Sequence, residues 1–248
     1  MNPELLYLAA GLLLGAILGS FIATILIRWP QGRSVIAGRS RCDSCGRPLG
    51  PGDMVPILSY AALHGKCRAC GVRIDRRQFA VELAAATLGL VALVAHPLPL
   101  AAITLGLGLW LLLLAMLDLE HQWLPDRLTL PLVPLGLMAA WAGFGPSLIE
   151  RAIGAVAGWA ALFLIALAYR RLRGRDGMGG GDPKLLAAIG AWVGALQLPF
   201  VLLGAGLLGL AAILLMRLRG EQVSATTRLP LGTLMAVAAW PIWLITAG

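Results

Sequence analysis

The sequence predicts an all-α polytopic membrane protein, with about eight transmembrane helices and a cytoplasmic zinc-binding loop domain between helices 1 and 2. Three observations carry that prediction: an apolar excess that a soluble core could not hide, apolar runs long enough to cross a bilayer, and basic residues gathered on one side of those runs. Of 248 residues, 59% are hydrophobic and 13% charged, against about 45–50% and about 25% in soluble domains. Surface-to-volume scaling leaves too many residues outside a soluble core of this size to cover so much apolar surface. A soluble enzyme, a disordered chain and a secreted disulfide scaffold are therefore excluded. The 31 glycines and 15 prolines follow no collagen-like period, and small residues suit close helix packing in lipid.

Eight apolar runs follow in order: Leu5–Ile27, Phe79–Ala95, Leu98–Leu117, Leu128–Phe144, Ala152–Tyr169, Pro183–Leu196, Pro199–Met216 and Leu229–Thr246. Crossing the hydrocarbon core takes about 20 residues, with a range of about 17–25. The first, third, fifth, seventh and eighth satisfy this, the second is borderline, and the fourth and sixth are short and interrupted by proline or glycine. The first run has only Glu4 ahead of it and no basic n-region, so it reads as an anchor rather than a cleaved signal. The chain divides into an anchor helix (1–27), a loop domain (28–78) and a transmembrane domain (79–248).

Orientation follows from charge. With the amino terminus outside, the inner loops hold ten Lys/Arg from Arg28 to Arg77, then Arg127, then Arg170, Arg171, Arg173, Arg175 and Lys184, and finally Arg217, Arg219 and Arg228. Nineteen of the twenty basic residues face inward, and only Arg151 faces out. Basic loops stay on the cytoplasmic side, so the net charge of +8 is topological and does not point to nucleic acid.

The loop domain carries CDSCG at Cys42–Gly46 and CRACG at Cys67–Gly71. Two C-x2-C pairs with 21 residues between them fit a four-thiolate zinc site. Each pair sets two thiolates, Cys42 with Cys45 and Cys67 with Cys70, at one tight turn, whose strain the following glycine relieves. A reducing cytosol disfavours disulfides. Two redox dithiols or four idle thiols are the other readings, but no thioredoxin-like strand–helix pattern surrounds either pair. Four thiolates would saturate the ion, giving it a structural role.

Two acids stand out by position. Asp118 ends the run LWLLLLAML, at the inner end of the third span. Ionisable residues at that depth are costly and read first as functional, or else as interfacial beside Glu120 and His121. Asp182 closes GMGGGD. Asp followed by Pro suits a helix cap, but a cap does not explain Gly179, Gly180 and Gly181, which let backbone pass close to a neighbour or substrate. A phosphate loop needs Gly-Lys-Ser/Thr, and Asp182-Pro183 stands there instead. Asp126 reads as the cap of the fourth run. Glu82 reads as a buried acid paired with a loop arginine, Arg76 or Arg77. Two carboxylates converging at the inner face would share a proton, leaving one acid and one base. No H-E-x-x-H or G-x-S-x-G occurs, and Ser20 reads as a helix-packing residue.

Together these motifs resemble the bacterial type IV prepilin leader peptidase family, the GxGD aspartic proteases of pilus and type II secretion systems. The resemblance runs through GSFIATILIRWP (Gly19–Pro30), both cysteine pairs, SYAALHGKCRAC (Ser59–Cys70), VEL (Val81–Leu83), DLEHQWLPDRLTLPL (Asp118–Leu132) and GMGGGDPKLLAAIGAW (Gly177–Trp192). It implies a bacterial inner-membrane protease that cuts the short basic leader from prepilins or pseudopilins at the cytoplasmic face, with Asp118 and Asp182 as the catalytic pair. Residues 79–248 are then its peptidase domain. Many members also N-methylate the new amino terminus with S-adenosylmethionine, an activity associated with the cysteine-bearing loop. Here Asp53–Pro56 reads DMVP, where the family pattern usually has Asn before the apolar-Pro pair, and no G-x-G-x-x-G of the dinucleotide-binding kind is present. Both departures bear on methyl transfer alone.

Two other readings stay open on the residues. A membrane scaffold or transporter with a zinc-stabilised loop accepts the spans and cysteines, but it must treat both aspartates as caps or ion-path residues. A preflagellin-peptidase-like or presenilin-like protease shares the GxGD device, while the long cysteine loop favours the prepilin peptidases.

Overall fold

A computed structural model describes residues 3–35, 40–174, 177–222 and 229–248. Arg39, Arg175 and Arg228, counted above among the inward basic residues, lie outside the described residues. Nine α-helices are present among the described residues: α1 (Pro3–Arg28), α2 (Leu58–Ala62), α3 (Arg76–Ala95), α4 (Leu98–His121), α5 (Asp126–Trp141), α6 (Leu148–Arg173), α7 (Asp182–Val193), α8 (Leu198–Leu218) and α9 (Leu231–Thr246). No strand occurs among them, only the isolated bridges Arg41–Pro48 and Lys66–Arg73.

Every predicted apolar run is helical, but the expected count of eight spans does not follow from helix lengths. Among the described residues, five helical segments are long and apolar enough to cross a membrane: Glu4–Gln31, Arg76–Ala95, Leu98–His121, Leu148–Arg173 and Ala195–Leu218. At 1.5 Å per residue α7 is about 18 Å long, against a hydrocarbon core of about 30 Å. Helices α5 and α9, at 16 residues each, are short for the same reason. Their internal prolines, Pro131 and Pro134 in α5 and Pro241 in α9, each remove a backbone donor.

Local chemistry sets the helix ends. Asp75 accepts the Arg77 N–H at 2.9 Å to cap α3, and Ser147 Oγ accepts the Glu150 N–H at 3.3 Å to cap α6. Helix α6 stops at Gly174, whose φ of +66° suits the left-handed closing position.

The chain forms two compact units, Met1–Leu109 and Trp110–Gly248. In the first, α1 packs along α3. Gly11, Gly15 and Gly19 sit four residues apart on α1, and a Cβ on Gly15 would strike the Ala85 carbonyl. Conversely, a Cβ on Gly89 would strike the Gly11 carbonyl. The two backbones are thus in contact, the small-residue packing expected of helices in lipid. At one end of this pair Gln78 donates to Ser20 Oγ at 3.0 Å and to Glu82 Oε1 at 2.7 Å. The expected arginine partner of Glu82 is not found: its other oxygen accepts the Ile57 backbone N–H at 2.7 Å, and Arg77 pairs with Asp75.

In the second unit α7 is the centre, with every residue buried except Lys184. Helices α5, α6 and α9 surround it. The α6–α7 contact again needs glycine: a Cβ on Gly190 would strike the Gly154 carbonyl, and one on Gly158 would strike that of Leu186. Arg151, wholly buried in α6, donates to the carbonyls of Gly136, Phe144 and Pro146 and lies 5.1 Å from the Trp243 ring centre. It ties the α5–α6 connection to α9.

Candidate active site and metal centre

Asp118 lies in the last turn of α4 and is 5% exposed. Its Oδ2 accepts the backbone N–H of Thr233 at 2.7 Å, with Thr233 Oγ1 at 3.2 Å. Thr233 Oγ1 also reaches the Ala115 carbonyl at 2.8 Å. The N–H is free to do this because Thr233 stands in the first turn of α9, where backbone donors have no intrahelical acceptor. Gly232 permits the approach, since a Cβ there would come within 3.0 Å of the Asp118 carboxylate.

Asp182 opens α7 and is 8% exposed. It is not the helix cap: Gly181 holds that position, and Asp182 Oδ2 turns back to accept the Gly179 N–H at 3.1 Å. Of the three glycines, Gly181 packs on Leu124 so closely that a Cβ would come within 2.7 Å of the Leu124 Cβ. A Cβ on Gly179 would crowd Asp182 Oδ2 at 3.2 Å, whereas Gly180 faces open space. Leu124 also lies 2.8 Å from where a Gly232 Cβ would stand, so one side chain packs on the backbone beside each aspartate.

The two carboxylates feel one another. Burial first, and the Asp118 charge second, push the Asp182 carboxyl up to about 6, against the lowering effect of the Gly179 N–H. Each Oδ2 is thus engaged as an acceptor of a backbone N–H, while neither of these N–H groups engages an Oδ1.

Asp126, expected as a helix cap, makes no capping bond. The cap position of α5 is Pro125, and both Asp126 oxygens accept from Lys184 Nζ at 2.7 Å. Lys184 lies two residues past Asp182, so this pair links the start of α5 to the first turn of α7. Sequence reasoning missed Thr233 and Lys184. A lysine following GGGDP was the available signal for the second, and Thr233 acts through a backbone group that has none.

In the loop domain, the Sγ atoms of Cys42, Cys45, Cys67 and Cys70 all lie within 4.8 Å of one another, and all four thiols are free. Cys42 and Cys70 are 3.9 Å apart. A tetrahedral zinc with Zn–S bonds of about 2.3 Å sets its sulfurs about 3.8 Å apart, so the cluster has the dimensions of a four-thiolate metal site. The two turns repeat one geometry. Gly46 N–H bonds the Cys42 carbonyl and Gly71 N–H the Cys67 carbonyl, each at 2.9 Å, and the two glycines have φ of +69° and +68°. Backbone N–H groups of Cys70 and Ala69 draw the Cys67 thiol down to about 6, while, against the lowering effect of the Val72 N–H, burial and the neighbouring sulfurs push Cys70 up to about 11.

Residues 105–214 match the model of the type IV leader peptidase family, and residues 13–96 that of the bacterial peptidase A24 N-terminal domain. Curated relatives named prepilin leader peptidase/N-methyltransferase include those of Dichelobacter nodosus and Pseudomonas aeruginosa. The first is 38% identical, covering 88% of this chain and 74% of the relative. The second is 34% identical, covering 96% and 90%. The chain belongs to the type IV leader peptidase family. A further relative so named, from Aeromonas hydrophila, is 40% identical over 84% of this chain and 71% of its own length. No solved structure matches the chain significantly.

Proposed function

We propose that the chain is an aspartic endopeptidase of the bacterial inner membrane, which removes the short basic leader from type IV prepilins or type II secretion pseudopilins at the cytoplasmic face. Family membership supports the substrate class. The observation that carries the reading is the pair of buried carboxylates, Asp118 and Asp182, each accepting a backbone N–H on one oxygen. The gathering of nineteen of twenty basic residues on one side of the apolar runs supports an outside amino terminus, with the loop domain (28–78) and the aspartates in the cytoplasm and residues 79–248 as the peptidase domain.

In this mechanism the substrate's apolar stretch lies along the spans and its scissile peptide reaches the aspartates past Gly179–Gly181. The exposed, unfilled side of Gly180 leaves room for substrate backbone. One Oδ1 takes a proton from water while the other gives one to the carbonyl oxygen. The roles then reverse to expel the amine. Buried like-charged neighbours support this division, because they keep one carboxyl protonated.

Zinc would be held by Cys42, Cys45, Cys67 and Cys70, where it cross-links the loop domain; with four thiolates bound it has no open position for chemistry. The relatives' second name brings N-methylation of the new amino terminus into the same proposal, with S-adenosylmethionine as donor. The described residues contain no strand, hence no strand–helix glycine turn of the kind that cradles a dinucleotide, and none is assigned to that cofactor.

The test incubates detergent-purified protein with a leader-bearing prepilin and reads intact mass. Loss of the leader, absent with Asp118→Asn and Asp182→Asn, is the expected result. A further gain of one CH2 with S-adenosylmethionine would show methyl transfer. A folded, zinc-loaded protein that leaves prepilin intact would return the chain to the scaffold reading.

A further inference from the structure

Asp53 is a mostly buried acid that neither the dyad nor the thiolates use. Its carboxylate is 9% exposed and lies in the short turn Pro51–Asp53, between the two cysteine pairs in sequence. Three donors converge on it. Arg47, two residues past Cys45, reaches Oδ2 at 3.2 Å. Arg68, between Cys67 and Cys70, reaches Oδ1 at 3.2 Å. The Gly50 N–H reaches Oδ2 at 3.2 Å. One carboxylate thus grips an arginine from each cysteine turn.

We propose that Asp53 is the positioning residue of the metal centre, an ionic clamp that holds the two cysteine turns face to face so that four thiolates meet one ion. The C-x2-C turns fix two sulfurs each through their own backbone bonds, but nothing within a turn fixes it against the other. A carboxylate suits that task, since its two oxygens can each accept from a different guanidinium while one also takes an N–H. An asparagine offers one acceptor oxygen and would have to drop an arginine. Four residues further on, the Ile57 N–H is held by Glu82 of α3, at a φ of +63° that a β-branched residue adopts only when constrained. The stretch from Asp53 to Ile57 therefore ties the cysteine turns to α3, which explains why the clamp sits in this segment rather than elsewhere in the loop.

The inference rests on the zinc reading, and its test is metal retention by the full-length protein in detergent. Zinc-loaded protein is challenged with excess chelator, and zinc release is followed with a metallochromic dye. Removing groups that support metal ligands from outside typically costs 10–100-fold in affinity, so Asp53→Asn should release zinc about tenfold faster. Arg47→Ala and Arg68→Ala should each speed release less, and neither should add to Asp53→Asn, because groups in one network are non-additive. Raising salt should speed release from the wild type but not from D53N, since the clamp is ionic. Asp43→Asn, which breaks only the exposed pair with Arg33, should release zinc as the wild type does. Release from D53N at the wild-type rate, or arginine effects that persist undiminished in D53N, would overturn the clamp. If D53N does not fold, the R47A/R68A double variant takes its place, and wild-type retention by it overturns the clamp equally. A wild type that takes up no zinc overturns the zinc reading and the clamp together, an outcome distinct from the others.

Discussion

The cysteine loop and the aspartate pair are built in opposite ways. Each cysteine turn closes within five residues, through a left-handed glycine and its own backbone bond, and the two turns are joined by one mostly buried carboxylate and two partly exposed arginines. The aspartates stand 64 residues apart in sequence, on two different helices. They are seated by backbone groups of a third helix and a glycine turn, around a helix with one residue of twelve unburied. The first site depends on a few short-range links and an ion. The second depends on the close packing of a whole unit. Disturbing packing should therefore damage the second and spare the first, and removing metal should do the reverse.

The largest effect expected is chemical. Asp118→Asn or Asp182→Asn should each lower leader cleavage by about 10³-fold, within the range for loss of a general acid or base, with the melting transition and zinc content retained. Cleavage by either variant within tenfold of wild type would remove the dyad.

Packing comes next. Gly190→Ala should cost about 1–3 kcal/mol, the usual cost of overpacking, because the added carbon meets the Gly154 carbonyl. Thermal unfolding in detergent should show the loss, with zinc content unchanged. A variant melting as the wild type does would mean that α6 and α7 can part freely, contrary to the backbone contact described.

Chelation should act on the other region alone. Stripping zinc should open all four thiols to alkylation while leaving the melting of Trp110–Gly248 in place. Alkylation of fewer than four would break the four-ligand assignment.

The smallest effect belongs to Asp126→Asn. Its partner Lys184 and Asp126 itself are 36% and 53% exposed, and exposed ion pairs contribute about 0–1 kcal/mol. Cleavage should fall less than tenfold. A loss as deep as that of Asp118→Asn would move Asp126 into the dyad.

The same contrast explains what could be read in advance. The gathering of the four cysteines was legible because its determinants are local, two C-x2-C pairs each with its glycine, whereas the Asp53 link between the two turns was not. The apolar runs gave all eight long helices, but not the number that can span, because a run's apolar character does not fix where its helix ends: α7 stops at Val193 before Gly194, whose φ is +84°, and α5 and α9 reach only 16 residues each. Asp118 and Asp182 were visible as acids in costly places. What seats them was not, since the Thr233 and Gly179 donors are backbone N–H groups that every residue but proline possesses. Glu82 misled for that reason: a buried acid suggests an arginine, and its partners are the Ile57 amide and a glutamine. Asp126 before an apolar run suggests a cap, and only the fold brings Lys184 to it.

The seating of Asp118 by Thr233 also orders events in time. Thr233 belongs to α9, the last of the described helices to leave the ribosome, more than a hundred residues after α4. Until α9 arrives, the Asp118 carboxylate has neither of its Thr233 donors, and the Gly232 backbone that packs against it is missing. A half-made chain would therefore carry both aspartates without the arrangement that lets them act together. On the proposed reading, the pair is therefore assembled only once α9 is in place.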